Sequence, residues 1–457
     1  MNNDIMEFLN LKDLPVTIQS ITVNGSTKTI LLEQNKETIL CPICNAKMHS
    51  KGIETRTIKH QVIQDGFKLI IKLKQRRLKC SNSNCNHQMN QPCNLAAKHK
   101  QHTLFTEVGI MNDFRDITLT CSSIAKKYNI SDTIAYYTFM QYVPLNRSTL
   151  PRILCVDEVF TDITGKHKYS LILMNWETKE VIDVLDSRWN SDTEKYFYNI
   201  PFEERKKVEF VISDMYDSYI SFVPKYFPNA RNITDSFHVI SMINRRLLSY
   251  CNDVKRRFDK DSINYYIISN YNWFLLMNDK KYQLPTRYKY NRKLGRQVSL
   301  PQLYDIFMAI DSEFIELKKL KDLYLDFNHP QKRTGDYKSL NEIENELSNI
   351  IHTYAFSKYT LFQEVADTLI RYREYIINSF LILSDSHKRM SNGPLESFNR
   401  KPKDYIRATR GIKNFDYFRA RILWSSNLNR NMLATPRDIK LIRGKYSTGL
   451  KRGSYSK

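Results

Sequence analysis

No stretch of the 457 residues approaches the roughly 20 consecutive apolar residues that a membrane-crossing helix requires, so no membrane-spanning helix is expected. The opening MNNDIMEFLN lacks the basic region and apolar run of a signal peptide, and a cytosolic location is expected. No internal repeat is present. Acidic residues are scarce beside basic ones: 48 Asp and Glu face 70 Lys and Arg, a net charge of +22. Such an excess points to a polyanionic partner, most often nucleic acid. A basic surface serving only solubility is the blander reading, and the clustering of the charge weighs against it. Disorder is excluded by the 42% of hydrophobic residues, enough for sizeable cores. The eight cysteines, in a reducing compartment, are expected as thiols or metal ligands and not as disulfides.

The length suits three or four domains, and the texture changes along the chain. Residues 1–100 hold β-like runs (Thr17–Val23, Thr29–Leu32, Phe67–Leu73) among cysteines. Residues 101–150 read as short helices. From 151 to 240, the runs Ile153–Val156, Tyr169–Met174, Val181–Leu185, Val208–Ile212 and Arg231–Thr234 alternate with helical patterns at Ser191–Lys207 and Tyr216–Phe227. That alternation predicts an α/β domain. Residues 241–390 carry helical spacing and no strand pattern. Ile306, Ile310, Phe314, Leu317, Leu320 and Leu323 mark one long amphipathic helix there. Basic loops at 286–297 and 328–338 interrupt this block. A last helical segment, 391–435, precedes a basic, glycine-containing tail at 436–457, read as a flexible segment that seeks nucleic acid.

Cys41-Pro-Ile-Cys44 is a tight knuckle that can point two thiolates at one ion. Cys80 and Cys85 form a looser second pair, and the four together suit one structural Zn²⁺. His87 or Cys93 could stand in for Cys85. Lys72, Arg76 and Arg77 lie on a basic strand beside the knuckles, placed to meet phosphates. Cys121, Cys155 and Cys251 have no partner spacing and read as core thiols.

The segment from Cys121 to Phe139 has helix-turn-helix spacing. Asn129 suits a left-handed turn, and Ser131 suits the cap of a second helix at about Asp132–Met140. That helix would face a major groove, with Thr133, Tyr136 and Tyr137 as candidate contacts. Any small helical hairpin imitates the pattern.

Three acids stand out by context. Asp157 follows an apolar strand, Asp214 follows another, and Glu396 opens a helix after Ser391-Asn-Gly-Pro394. Asn392 or Gly393 can cap that helix. Two carboxylates at neighbouring strand ends and one from a nearby helix can hold two Mg²⁺ or Mn²⁺ ions, which clamp the attacking and leaving oxygens of a phosphodiester displacement. Asn399, Arg400, Lys403, Arg407 and Arg410 recur at helical steps after Glu396 and form a polar, basic stripe suited to DNA. Pro402 should kink this helix. Asp235 and His238 follow the last strand. His238 could orient a carboxylate, or Asp235 could simply cap a helix. Glu158 follows Asp157, and strand alternation should turn it away from the site.

With CPIC, RRLKC, CVDE, ISDMYDSY, FPNARNITDSFHV, SNGPLESFNR and RATRGIKNFDYFRARIL in this order, the chain resembles bacterial insertion-sequence transposases of the ISL-three family. The resemblance implies an RNase H-like core interrupted by a helical insertion, with catalysis on Asp157, Asp214 and Glu396. It marks Asp235 and His238 as the family's D-x-x-H element. It implies double-stranded DNA partners (terminal inverted repeats and target), assembly as a homo-oligomer such as a dimer on DNA, and work at the nucleoid. The competing readings are a DNA-binding regulator that has lost catalysis, which has no need of the acids, and an RNase H-like nuclease or resolvase, which has little need of reader modules.

Overall fold

Four consecutive residues, Ile153 to Val156, are fully buried, which requires cover on both faces of their strand. The computed structural model supplies it. Residues 2–9, 11–60, 68–96, 100–188, 190–278, 282–328, 339–382, 389–409 and 411–446 are described. Arg410, nearly all of the basic loop 328–338 and the end of the tail lie outside them. The chain divides into two compact units: residues 1–147, 160–168 and 400–457 form one, and residues 148–159 and 169–399 form the other.

The first unit opens with α1 (Asn2–Phe8) and a sheet of β1 (Val16–Asn24), β2 (Thr27–Gln34), β3 (Met48–Lys59), β4 (Lys68–Cys80) and β5 (Gln88–Asn90). The order is β1-β2-β4-β3, with β5 on β4. Ile30, Leu32, Ile58, Ile71 and Leu73 bury one face. The strand β3 was not legible in the sequence, because its exposed polar run Glu54–Thr57 pairs with β4 without an apolar stripe of its own. Helices α2 (Leu104–Asp113), α3 (Cys121–Tyr128) and α4 (Asp132–Tyr142) follow. Asn129 takes the left-handed turn at φ 53°, and the Ser131 side chain accepts from the Ile134 N–H, as expected for the cap.

The second unit carries a sheet of β6 (Ile153–Phe160), β7 (Tyr169–Asn175), β8 (Val181–Leu185), β9 (Phe210–Ser213) and β10 (Arg231–Thr234), in the order β10-β9-β6-β7-β8. β9 runs parallel to both β6 and β10, and β7 and β8 are antiparallel. Helices α5 (Asn190–Tyr198), α6 (Phe202–Arg205) and α7 (Asp217–Tyr226) lie in this region. The single helix expected over 191–207 is divided, with Pro201 at the start of α6. Phe197, Phe222, Val223 and Tyr226 pack with Leu154, Val156, Leu171 and Val211 over one face of the sheet.

After α8 (Ser236–Lys255) the chain forms α9 (Ile263–Tyr271), α10 (Trp273–Leu276), the strands β11 (Lys289–Asn291) and β12 (Arg296–Val298), and α11 (Leu300–Ile310), α12 (Glu313–Asn328), α13 (Leu340–Ala355), α14 (Thr360–Arg371) and α15 (Arg373–Asn378). Two expectations are corrected here. The block is not wholly helical: β11 and β12 pair as a hairpin, closed by the Asn291 side chain, which accepts from the Lys293 and Leu294 N–H groups, and by Gly295 at φ +64°. Neither strand joins the central sheet. The long helix through Ile306 to Leu323 is two helices. Asp311 is extended between them, and its carboxylate accepts from the Glu313 N–H.

The segment after residue 390 is also broken. α16 (Gly393–Phe398) ends at Asn399, and α17 (Arg400–Ala408) begins at the next residue and belongs to the first unit. Pro402 has no N–H to give the Phe398 carbonyl, which accounts for a break at this place. α18 (Phe415–Ser426) and α19 (Ile439–Tyr446) are the last elements among the described residues. α18 packs among α2, α3 and α4. Its Arg421 is wholly buried and donates to the carbonyls of Phe114, Asp116 and Leu119, while the Trp424 ring nitrogen donates to the Met111 carbonyl. Among the described residues no helix is long and apolar enough to cross a membrane.

Candidate functional site

Asp157, Asp214, Asp235, His238, Glu396 and Asn399 meet in the second unit. Asp157 sits within β6, which runs on to Phe160 beyond the apolar run. Asp214 comes directly after β9. His238 lies in the first turn of α8, and Glu396 in α16.

His238 joins the carboxylates. Its Nε2 is 2.6 Å from Asp214 Oδ1 and 3.5 Å from Glu396 Oε1. Burial disfavours the imidazolium, but Asp214, Asp235 and Glu396 outweigh it and hold the ring above the usual histidine value. Asp157 is nearly buried, and its Oδ2 accepts from Asn399 Nδ2 at 2.5 Å. Burial first, and the Asp214 carboxylate second, push the Asp157 carboxyl up to about 7. Burial, then Asp235 and Asp214, also raise Glu396, against the pull of His238. Carboxylates crowded in this way favour a bound cation. Only the four cysteines, among the described residues, bring metal-ligand atoms all within 4.8 Å of one another. The three carboxylates are therefore spaced wider than a one-ion cage.

Asp235 is both the helix cap and something more. One oxygen accepts from the Phe237 N–H at 2.8 Å, and the other accepts from the Asn392 N–H at 2.5 Å. The same turn is held by Trp176, whose ring nitrogen donates to the Ser391 carbonyl at 3.0 Å. Asp235 thus ties the start of the His238 helix to the turn that carries Glu396. The Asn392 side chain, expected as a cap, makes no cap bond. Replacing Asp235 with Ala leaves the buried Asn392 N–H and the part-buried Phe237 N–H without their acceptor, and we expect a loss of about 2 kcal/mol of stability. Asp235→Asn, which keeps one acceptor, should lose less. Thermal unfolding of both variants checks this, and equal melting of Asp235→Ala and the unaltered protein would refute it.

Other expected residues are placed differently from the sequence reading. Asn399, assigned to a DNA-facing stripe, is buried on Asp157. Glu158, expected to turn away from the site, lines the cavity that also includes Asp214 and His238. It pairs with Arg188 and accepts from the Tyr219 hydroxyl. Tyr136 packs 5.1 Å from Tyr417 and receives a bond from Asn414, while Thr133 is exposed. Tyr137 packs edge-on against Tyr136. In β4, Lys72 and Arg77 are exposed, and Arg76 is anchored to the Glu37 carbonyl. On α17, Arg400, Lys403 and Arg407 are exposed, with Asp404 3.2 Å from Arg407.

The sulphurs of Cys41, Cys44, Cys80 and Cys85 converge, with Cys41 and Cys85 3.7 Å apart and Cys44 and Cys80 3.4 Å apart. A tetrahedral site with Zn–S bonds of about 2.3 Å spaces its sulphurs by about 3.8 Å, so the set could bind zinc. Cys93 packs in the core of the sheet instead.

An aspartate within β6, another directly after β9, a helical glutamate and a shared imidazole form one acidic site, and the sequence match places the chain in a class of enzymes that act on DNA. The transposase family model DDE_Tnp_ISL3 matches residues 154–422, more than half of the chain, and the chain belongs to that family. No curated protein matches it.

Proposed function

We propose that this transposase cuts DNA at the 3′ ends of an insertion sequence and joins them to target DNA, using Asp157, Asp214 and Glu396. The observation that carries the reading is the meeting of Asp214 and Glu396 at His238, from residues far apart in sequence. The sheet order β10-β9-β6-β7-β8, with β9 parallel to its neighbours and a helical block before Glu396, supports an RNase H-like core. Two Mg²⁺ or Mn²⁺ ions on the carboxylates would offset charge on the attacking and leaving oxygens. Asn399 orients Asp157, Asp235 fixes the turn before Glu396, and His238 holds Asp214 and Glu396 in register. Water is the first nucleophile and the freed 3′-OH the second. The partners are double-stranded terminal repeats and target DNA, with the protein acting as a dimer. Incubation with Mg²⁺ and a supercoiled donor carrying a pair of terminal repeats should yield 3′-OH ends at the repeats; uncut donor would defeat the proposal.

The knuckle sheet and the second helix of the hairpin are the readers of terminal DNA in this scheme. Lys72 and Arg77, exposed on β4, face phosphates. Changing both to Ala should weaken binding and reduce the slope of log affinity against log salt by about 0.9 for each phosphate no longer neutralised. Anisotropy titrations at several salt concentrations measure this, and an unaltered slope counts against it.

A further inference from the structure

Beside Asp214 and His238 lies a cavity of about 420 Å³, lined in part by Tyr216, Arg188, Arg245, Arg371 and Tyr372. That volume falls in the range of about 300–1,000 Å³ that encloses a small organic ligand. It is too small for a duplex. Two of its arginines are already matched: Arg188 pairs with Glu158, and Arg371 lies 3.2 Å from Asp217, which also accepts from the Tyr372 hydroxyl. Arg245 differs. Its guanidinium reaches only the Ser241 carbonyl, at 3.4 Å in its own helix, and no carboxylate pairs with it among the described residues.

Helix geometry fixes where that charge stands. His238, Met242 and Arg245 share one face of α8 and all line the cavity. Seven residues separate His238 from Arg245, about 10.5 Å along the axis. One end of the stripe therefore meets the carboxylates, and the other offers an unmatched cation. Tyr216 lines the cavity with Asp214, its N–H bonded to the Asp214 carbonyl at 2.9 Å. Its ring is exposed but steadied, edge-on to Tyr219 at 5.7 Å and near the Arg188 guanidinium at 5.5 Å. A steadied, exposed ring and an unmatched cation lining one cavity suit a base and its phosphate.

We propose that this cavity receives one unpaired nucleotide of the DNA strand adjoining the cut phosphate, its base against Tyr216 and its phosphate against Arg245. The proposal rests on Asp157, Asp214 and Glu396 being the cleavage site. A base can reach the ring only if it leaves the duplex stack, so the cavity selects DNA opened at the element's end.

The test uses the full-length protein and duplex oligonucleotides bearing a terminal repeat with its flank, cut under single-turnover conditions. Tyr216→Ala should cut about 10- to 100-fold more slowly, and Tyr216→Phe at the normal rate. Arg245→Ala should also be slow, with Arg245→Lys between. An abasic site at one position near the cut should slow the unaltered protein and add nothing to Tyr216→Ala. Affinity for the terminal repeat should be unchanged in each variant. Normal rates in Tyr216→Ala and Arg245→Ala, or abasic effects that multiply with Tyr216→Ala at every position, overturn the proposal. Should Tyr216→Ala misfold, the Arg245 variants, altered at an exposed side chain, decide. Glu396→Ala runs alongside: if it cuts normally, the cleavage-site reading itself has failed, a result distinct from failure of the nucleotide site.

Discussion

Glu396→Ala should bind terminal DNA as tightly as the unaltered protein and release no cut ends from a supercoiled donor, a loss of at least about a thousandfold in rate. The size follows from what the carboxylate does. Neutralising charge on the attacking and leaving oxygens supports several kcal/mol of the barrier reduction, and each 1.36 kcal/mol is about tenfold. Asp157→Asn and Asp214→Asn should lose as much. Asp157→Asn keeps one of the two acceptors that serve the Asn399 amide and the Glu158 N–H, so half of this local bonding remains while the charge is removed. Glu396 is partly exposed at the head of a short helix, and its removal leaves no buried hole. The measurement is cleavage and strand transfer with Mg²⁺ and with Mn²⁺, beside a binding titration. Full activity in any one of the three variants would remove that residue from the mechanism. Lost binding along with lost activity would point to a folding defect instead.

The strands that carry the two aspartates were legible because Ile153–Val156 and Val208–Ile212 are apolar runs too short for helices; Asp214 does follow its strand, whereas Asp157 lies within one that runs on to Phe160. Tyr169–Met174 and Val181–Leu185 were placed for the same reason, and the observed strands agree to within a residue. Glu396 was legible only as the acid behind a Gly-Pro helix start and through the family's motif order. What joins these residues was not legible. The bond from the Asn392 N–H to Asp235 spans 157 residues, and the bond from Asn399 to Asp157 spans 242. Periodicity carries no information at that separation. The same limit applies to Arg421. Its guanidinium meets three backbone carbonyls that lie 302 to 307 positions away. Helix ends were misplaced where a side chain rewards the break, as Asp311 does by accepting from the Glu313 N–H. Hydrophobic spacing continues through that break, so the pattern alone reads as one helix.

Removal of zinc should have the second largest effect, and it should be local. The sheet of the first unit has two cores. One is apolar, with Ile30, Leu32, Ile58, Ile71 and Leu73. The other, at the far end of β4, consists of Met48 and Leu78 with Cys41 and Cys80, flanked by Cys44 and Cys85. Met48 and Leu78 with the partly buried Ile39, Ala46 and Met89 are a small core for the loops at 35–47 and 81–87, and a four-thiolate zinc site contributes apparent binding energy of about 10–16 kcal/mol at neutral pH. We expect one zinc per chain by elemental analysis. Chelation should release the knuckle end, lower the melting temperature of the first unit, and abolish selective binding to terminal DNA. The helical signal should persist, because most helices lie in the second unit, which holds none of the four cysteines. Cys41→Ser should match chelation. Cys93→Ser should not, since that thiol packs against the sheet's apolar core and not among the four sulphurs. Protein purified without zinc that melts and binds as usual, with Cys41→Ser indistinguishable from it, would leave the four sulphurs as a buried thiol cluster and nothing more.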